Sequence, residues 1–375
     1  MTANGLSDYA DTLYGCRFCP MCKPAGEVAN LTLLESHATR ARAIMLWRIA
    51  NGMAEWEPRG VELLYQSTLD SISEAWCISH YPVSGYMLAA RAQVYAAGLA
   101  PEPVRQALRV TVEPPAPVPA EGLLLAGEAA ELADETPVQS ALAALAEAGL
   151  RVKPALMLSG ALAYSLGARD QARQQAEAVA AFLRASGART VIADGPGTLW
   201  ALKRIFPALG VSLPTGVTVT SVAEALAEAV DRGQLQPPPR PGVKVFVHDS
   251  RDAAFLADEL AQAEVIQPGY RGEEVRLGAG AVYDAPRRVV EAMGMARCYS
   301  VWQRALSKSG GADDGLWRTY PTLAEGLARQ RLAEARRVGA ELVNTDSTLS
   351  DAHLARFAGE AGLAVRNLSQ LIAEG

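Results

Sequence analysis

The sequence predicts a helical N-terminal module followed by two similar α/β units, each built on a parallel sheet. Three observations carry this. Two proline-rich segments, 112–120 and 236–242, cut the 375 residues into parts 1–111, 121–235 and 242–375. The first part has apolar residues at helical spacing only, while the other two alternate short apolar runs with amphipathic stretches. The third part also repeats the second.

In the first part, Leu33, Leu34, Ala38, Ala41, Met45 and Ile49 recur at helical spacing, which predicts a helix over 33–52; the pattern resumes over 87–97. In the second part, 123–126, 155–158 and 191–193 read as buried strands. The intervening helices are expected at 140–148, 171–186 and 223–230. A helix over 168–186 ends in Gly187 and leads to the strand at Val191, a turn 194–197 and a helix over 200–206. In the third part a helix over 323–338 ends in Gly339 and leads to the strand 342–346 and a helix over 352–358.

Bulk composition narrows the function classes. Half the residues are hydrophobic and a fifth charged, as in a soluble globular protein. A net charge of -6 gives no reason to expect nucleic acid or an anionic membrane as partner. Apolar runs such as 43–47 fall far short of the roughly 20 residues that span a bilayer. The N-terminus lacks a basic region followed by an apolar one, and five cysteines are too few for a disulfide framework. A cytoplasmic protein with reduced thiols is expected.

The chemistry concentrates in the cysteines. Cys16, Cys19 and Cys22 form a C-x2-C-x2-C run. Two-residue spacers let three thiolates converge on one cubane cluster, as in bacterial ferredoxins, where a fourth ligand comes from a distant segment. Zinc could also be held, although structural zinc favours separated C-x2-C pairs. Position 26, where the run's own fourth cysteine would stand, is Gly26. A second run with ferredoxin spacing falls on Ser67, Asp70, Ser73 and Cys77. Its first three positions have lost the thiols of a second cluster, while Cys77 would complete the first. His80 is the rival fourth ligand, and spacing favours Cys77. Cys298, with no cysteine near it in sequence, reads as a buried small hydrophobe.

With these motifs the chain resembles the iron–sulfur subunit of glycolate oxidase. It is also similar to fused C and B subunits of heterodisulfide reductase and to related lactate-utilisation proteins. The resemblance implies an α-helical ferredoxin module followed by two repeats that carry Cys-Cys-Gly motifs. In this chain those motifs read Leu158-Ser159-Gly160 and Lys308-Ser309-Gly310. The Gly-Cys after the first strand is Gly127-Glu128, and His-Asp-x-Cys is His248-Asp249-Ser250-Arg251. The closing C-x2-C pairs are Asp194 with Gly197 and Asp346 with Leu349. Every thiolate of the repeats is replaced, so they are expected to act as scaffold.

The resemblance further implies one [4Fe-4S] cluster on Cys16, Cys19, Cys22 and Cys77. It implies a hetero-oligomer with an FAD-dependent dehydrogenase or oxidase and an electron acceptor. The alternative is a non-redox structural or assembly subunit with a structural metal. His248, Asp249, Asp194 and Asp346 stand at expected strand ends, where an oxygen-ligand site could form, but helix caps and turns explain such residues more simply. The segment 307–312 resembles a phosphate loop only loosely, lacking the full spacing.

Overall fold

The computed structural model describes residues 5–16, 19–79, 81–257 and 280–374. Two four-stranded sheets, both wholly parallel, follow a helical N-terminal part. The first holds β1 (Gly122–Leu125), β2 (Lys153–Ala155), β3 (Thr190–Ala193) and β4 (Thr218–Ser221) in the order β2-β1-β3-β4. The second holds β5 (Lys244–His248), β6 (Ala296–Cys298), β7 (Leu342–Thr345) and β8 (Ala364–Asn367) in the order β6-β5-β7-β8. The two orders match strand for strand, so the repeat read in the sequence is a repeat of topology.

The central strands behave as fully covered parallel strands should. Leu123, Leu124 and Leu125 of β1 are buried beside Val191, Ile192 and Ala193 of β3, in register. The strand expected over 155–158 instead ends at Ala155, where the Ala155 carbonyl accepts the Ala126 amide, the next link in its pairing with β1. The segments 112–120 and 236–242 contain neither helix nor strand.

One apolar core runs through both sheet units. Leu124, Ile192 and Leu226 of the first share it with Val245, Val289 and Leu371 of the second. A second core joins the N-terminal helices to the other face of the first sheet, through Leu64, Met87, Leu162, Trp200 and Phe255.

The helix expected over 33–52 begins only at Thr39 and runs Thr39–Ala50. Leu33 ends the preceding helix, Glu27–Thr32, in a left-handed conformation at φ 58°. The Thr32 hydroxyl, 2.8 Å from His37 Nδ1, closes the intervening turn. Leu33 and Leu34 are therefore exposed although their spacing is helical. Cys298 is half-buried on the edge strand β6, not fully buried as expected, because only one neighbouring strand covers it.

The N-terminal part is fastened to both sheet units. The Tyr65 hydroxyl donates to the Leu166 carbonyl (3.1 Å) and Arg91 Nη1 to the Ser165 carbonyl (3.0 Å). Gly167, at φ 90°, lets the chain pass so close that a β-carbon would stand 2.3 Å from the Arg91 carbonyl oxygen. Gly326 makes room in the same way for Leu31.

Two glycine substitutions separate this contact from ordinary helix-end strain. Gly187 ends the helix Arg169–Ser186 at φ 69° with open space around it, so Gly187→Ala should cost only about 1–2 kcal/mol. Gly167→Ala adds a collision with backbone that cannot swing aside and should cost clearly more. Urea unfolding midpoints of the two variants test the difference.

Candidate functional site

Four cysteines lie in the N-terminal part, none of them in a disulfide. Cys16 closes the helix Ala10–Gly15, and Cys22 opens the 3-10 turn Lys23–Ala25. Both are half-buried, while Cys19 between them is exposed. Cys77 closes the helix Ser71–Trp76 and is half-buried. His80 lies outside the described residues. Among the described residues, no three His, Cys, Asp or Glu side chains close up as a metal ion would require.

The electrostatics tie Cys16, Cys19 and Cys22 to one locality. Burial pushes the Cys22 thiol up to about 11, with the charges of Asp70 and Cys16 adding to it. Arg40, ion-paired with Glu35, feels both Cys22 and Cys19, and the buried Tyr86 feels Cys16, Asp70 and Cys22. Cys77 lies on a separate helix. That helix has Asp70 as its other cap, and its Ile72 packs on Ala25. Thiols are the donor type an iron–sulfur cluster takes, but the described residues do not bring three such ligands together.

The positions that lack cysteine are filled from within. Two guanidinium groups occupy the ground between Ser67, Asp70 and Ser73. Arg42, 1% exposed, donates through Nη1 to Asp70 Oδ2 (2.9 Å) and the His37 carbonyl (2.8 Å). Its Nε and Nη2 reach the carbonyls of Leu63 (2.8 Å) and Gln66 (2.6 Å). Arg91 Nη2 donates to the Ser67 carbonyl (3.0 Å) and hydroxyl (3.1 Å), and to Leu64. The hydroxyls of Ser73 and Thr39 meet at 2.8 Å.

The second sheet unit is closed in the same manner. The Ser309 amide donates to both oxygens of Glu27 (3.1 and 3.0 Å), and the hydroxyls of Ser309 and Thr68 donate as well, each at 3.3 Å. Burial pushes the Glu27 carboxyl up, and the Ser309 amide pulls it back. His248 accepts at Nδ1 from Arg331 Nε (3.0 Å). Burial, with the Arg331 charge, drives its pKa down to about 3, so the ring is neutral. Asp249 holds Arg287 through two bonds of 2.6 and 2.8 Å and accepts the Arg304 amide at 2.6 Å. Burial alone would raise this carboxyl, but Arg287 outweighs it and the pKa falls below the ordinary value.

Between the two sheets, Glu128 takes the central place. Its carboxylate accepts the amides of Gly197 (2.8 Å) and Leu349 (3.0 Å) and the Ser347 hydroxyl (2.8 Å). A β-carbon on Gly195 would sit 2.4 Å from Glu128 Oε1, so glycine is required for this approach. Asp194 caps the start of the helix Gly127–Leu132, accepting the amides of Glu128 (3.2 Å) and Ala129 (2.9 Å) and the Thr198 hydroxyl (2.6 Å). Arg251 is ion-paired with Asp252 and Asp314, while Asp313 accepts the Arg251 amide at 2.9 Å. The cavity bordered by Asp194, Asp346, Thr348 and Asn367 has a volume of about 20 Å³, room for about one water. The strand-end aspartates named in the sequence thus serve as caps and ion-pair partners, Asp346 excepted. Sequence reasoning missed Glu27, Arg42, Arg91, Arg287 and Arg331, whose partners lie far away along the chain.

No family model matches the chain, and no curated protein matches it. A crystal structure of a hypothetical protein from Helicobacter pylori is similar, with a TM-score of 0.59 and 9% identity. The alignment covers 89% of this chain and 67% of that one, and it supports the fold alone. Among the described residues no helix is long and apolar enough to cross a membrane.

The buried acids make stability depend on pH. Burial pushes Glu131 up to about 8, with the Asp252 charge adding to it. It pushes Asp346 to about 8 with help from Asp249, and Asp314 to about 7 despite the pull of Arg251. Each holds its proton in the folded chain after the unfolded chain has released it. Their stabilising effect is complete below the ordinary carboxylate range and is lost as pH rises through these values. The low pKa of His248 acts oppositely, but only below about 6.5. The urea midpoint should therefore fall between pH 6.5 and 8.5, and Asp346→Asn should flatten that fall.

Proposed function

We propose that the protein is an iron–sulfur electron-transfer subunit carrying a single [4Fe-4S] cluster on Cys16, Cys19, Cys22 and Cys77. The observation that carries this reading is a contrast within one module. One set of thiols is kept around the Cys16–Cys22 loop, while the ground of the other set is filled by Arg42 and Arg91. Electrons would enter one at a time from the flavin of a partner FAD-dependent dehydrogenase or oxidase acting on a small 2-hydroxy acid such as glycolate or lactate. They would leave to a separate acceptor, within a cytoplasmic hetero-oligomer. The protein's own residues position and insulate the cluster and set its surroundings.

The two sheet units serve as scaffold in this reading. Their strand ends are occupied by Glu128, Glu27 and the arginine pairs, leaving no comparable thiol set. The same closure favours a second reading, in which the chain is a structural or assembly subunit whose cysteines hold one metal ion to fold the module.

Spectroscopy of the purified protein separates the two. The first reading expects a brown protein with broad visible absorbance that dithionite bleaches, giving an EPR signal of a reduced cubane. A colourless protein with one zinc would overturn it. Cys77→Ser should lose iron while His80→Ala retains it; the reverse result would exchange the fourth ligand.

A further inference from the structure

One opening in the second sheet unit escapes the closure seen at its strand ends. It is a cavity of about 420 Å³, within the size range of small-molecule sites, bordered by Arg287, Arg288, Arg297 and Arg304 together with Asp284 and Glu291. Three separate elements bring the arginines there: the helix Ala281–Ala292, the edge strand β6 and the 3-10 turn Arg304–Leu306. On the helix, positions 284, 287, 288 and 291 share one face through their three- and four-residue spacing. Arg287 and Arg304, 4% and 5% exposed, form the inner wall, while Arg297 and Arg288 are more open to solvent. One carboxylate fixes both inner arginines. Asp249 holds the Arg287 guanidinium through bonds of 2.6 and 2.8 Å and accepts the Arg304 amide at 2.6 Å. Arg304 stands at φ 54°, a left-handed conformation costly for any side chain with a β-carbon. Arginine thus occupies a place where glycine would be easier, and backbone strain of this kind gathers at ligand clamps. The Tyr283 ring lies 5.9 Å from the Arg304 guanidinium, and the Tyr299 ring 5.0 Å from that of Arg297.

We propose that this cavity is a binding site for a small phosphate monoester, with the phosphate group meeting the inner arginines, Arg287 and Arg304. The anions now on its lining are replaceable. Arg304 pairs with Asp284 and Arg297 with Glu291, and both carboxylates are partly exposed, so they can turn into water when another anion takes their place. Asp249 and Asp231, the partners of Arg287 and Arg288, do not border the cavity. Four guanidinium groups against two carboxylates leave the described lining with two positive charges in excess. A phosphate monoester carries about −1.5 to −2 at neutral pH, which matches that excess. Planar guanidinium forks also take phosphate oxygens in pairs. A monocarboxylate such as glycolate or lactate would leave charge uncompensated. The site lies in the second sheet unit and needs nothing from the cysteines.

Isothermal titration of the whole protein with glycerol phosphate, at constant ionic strength, tests the proposal. One molecule should bind per chain, glycerol should not bind, and malonate, a dianion of another shape, should bind more weakly. Arg304→Gly relieves the left-handed backbone and keeps the amide for Asp249, so the chain should fold while affinity falls about tenfold, the loss of one charge-assisted hydrogen bond. Arg288→Gln, on the exposed rim, should weaken binding by less, and that difference should fade in about 1 M salt. Arg329→Gln, at an arginine paired with Glu360 elsewhere in the same unit, should bind as the wild type does. A wild-type chain that binds no glycerol phosphate in the millimolar range overturns the proposal. So does wild-type affinity in both Arg304→Gly and Arg288→Gln. Should Arg304→Gly fail to fold, wild-type affinity in both Arg288→Gln and Arg297→Gln overturns it instead. Malonate binding as tightly as glycerol phosphate overturns the assignment to phosphate.

Discussion

Buried guanidinium groups hold this structure together, and most of its other features accommodate them. Arg42, Arg91 and Arg331 are among its largest fully buried side chains. A buried charge is tolerable only when its hydrogen bonds are met, and these arginines end in carbonyl, hydroxyl or carboxylate oxygens and, for Arg331, the ring of His248. Arg42 and Arg91 together gather the carbonyls of Leu63, Leu64, Gln66 and Ser67, at and just beyond the end of the helix Pro58–Tyr65. Those carbonyls would otherwise be orphaned, and a cation at a helix C-terminus also complements its dipole. An apolar residue of equal volume would fill the space but strand these acceptors.

This constraint makes the N-terminal module part of a larger body. Arg91 bonds the module internally and also reaches the Ser165 carbonyl of the first sheet unit. Glu27, five residues beyond Cys22, is anchored on the Ser309 amide of the second. The cysteine loop is therefore positioned from both sheet units, although all four thiols belong to the first 77 residues.

How much of this could be read from the sequence follows from how local each signal is. β1 and β3 were legible because central parallel strands are buried on both faces and form apolar runs, while β7, with Asn344 and Thr345, was legible through the repeat. The edge strands β4, Thr218–Ser221, and β8, Ala364–Asn367, are partly exposed and carry Thr, Ser, Arg and Asn, so they resemble loops. Leu33 and Leu34 misled in the opposite direction, since their spacing fits a helix that the turn closed by Thr32 and His37 interrupts. The run Cys16, Cys19 and Cys22 was legible because its spacing is local. The spacing of Ser67, Asp70 and Ser73 singled out these positions without showing which residues surround them. Arg42 lies 28 residues from Asp70, and Arg331 lies 83 from His248. Nothing local in the chain announces such pairs.

The repeat itself explains why the inter-sheet region is closed rather than open. Glu128 is the third residue beyond β1, and Arg251 is the third beyond β5. The two places are equivalent in topology but carry different side chains, each with its own partners. Glu128 takes the Gly197 and Leu349 amides, and Arg251 pairs with Asp252 and Asp314. Asp194 and Asp346 are each the first residue beyond their strands, and burial raises the pKa of both; amide and hydroxyl donors pull Asp194 back, while Asp346, beside Asp249, is pushed up to about 8. The matching strand ends of the two units are thus filled by different side chains that find their partners within the chain.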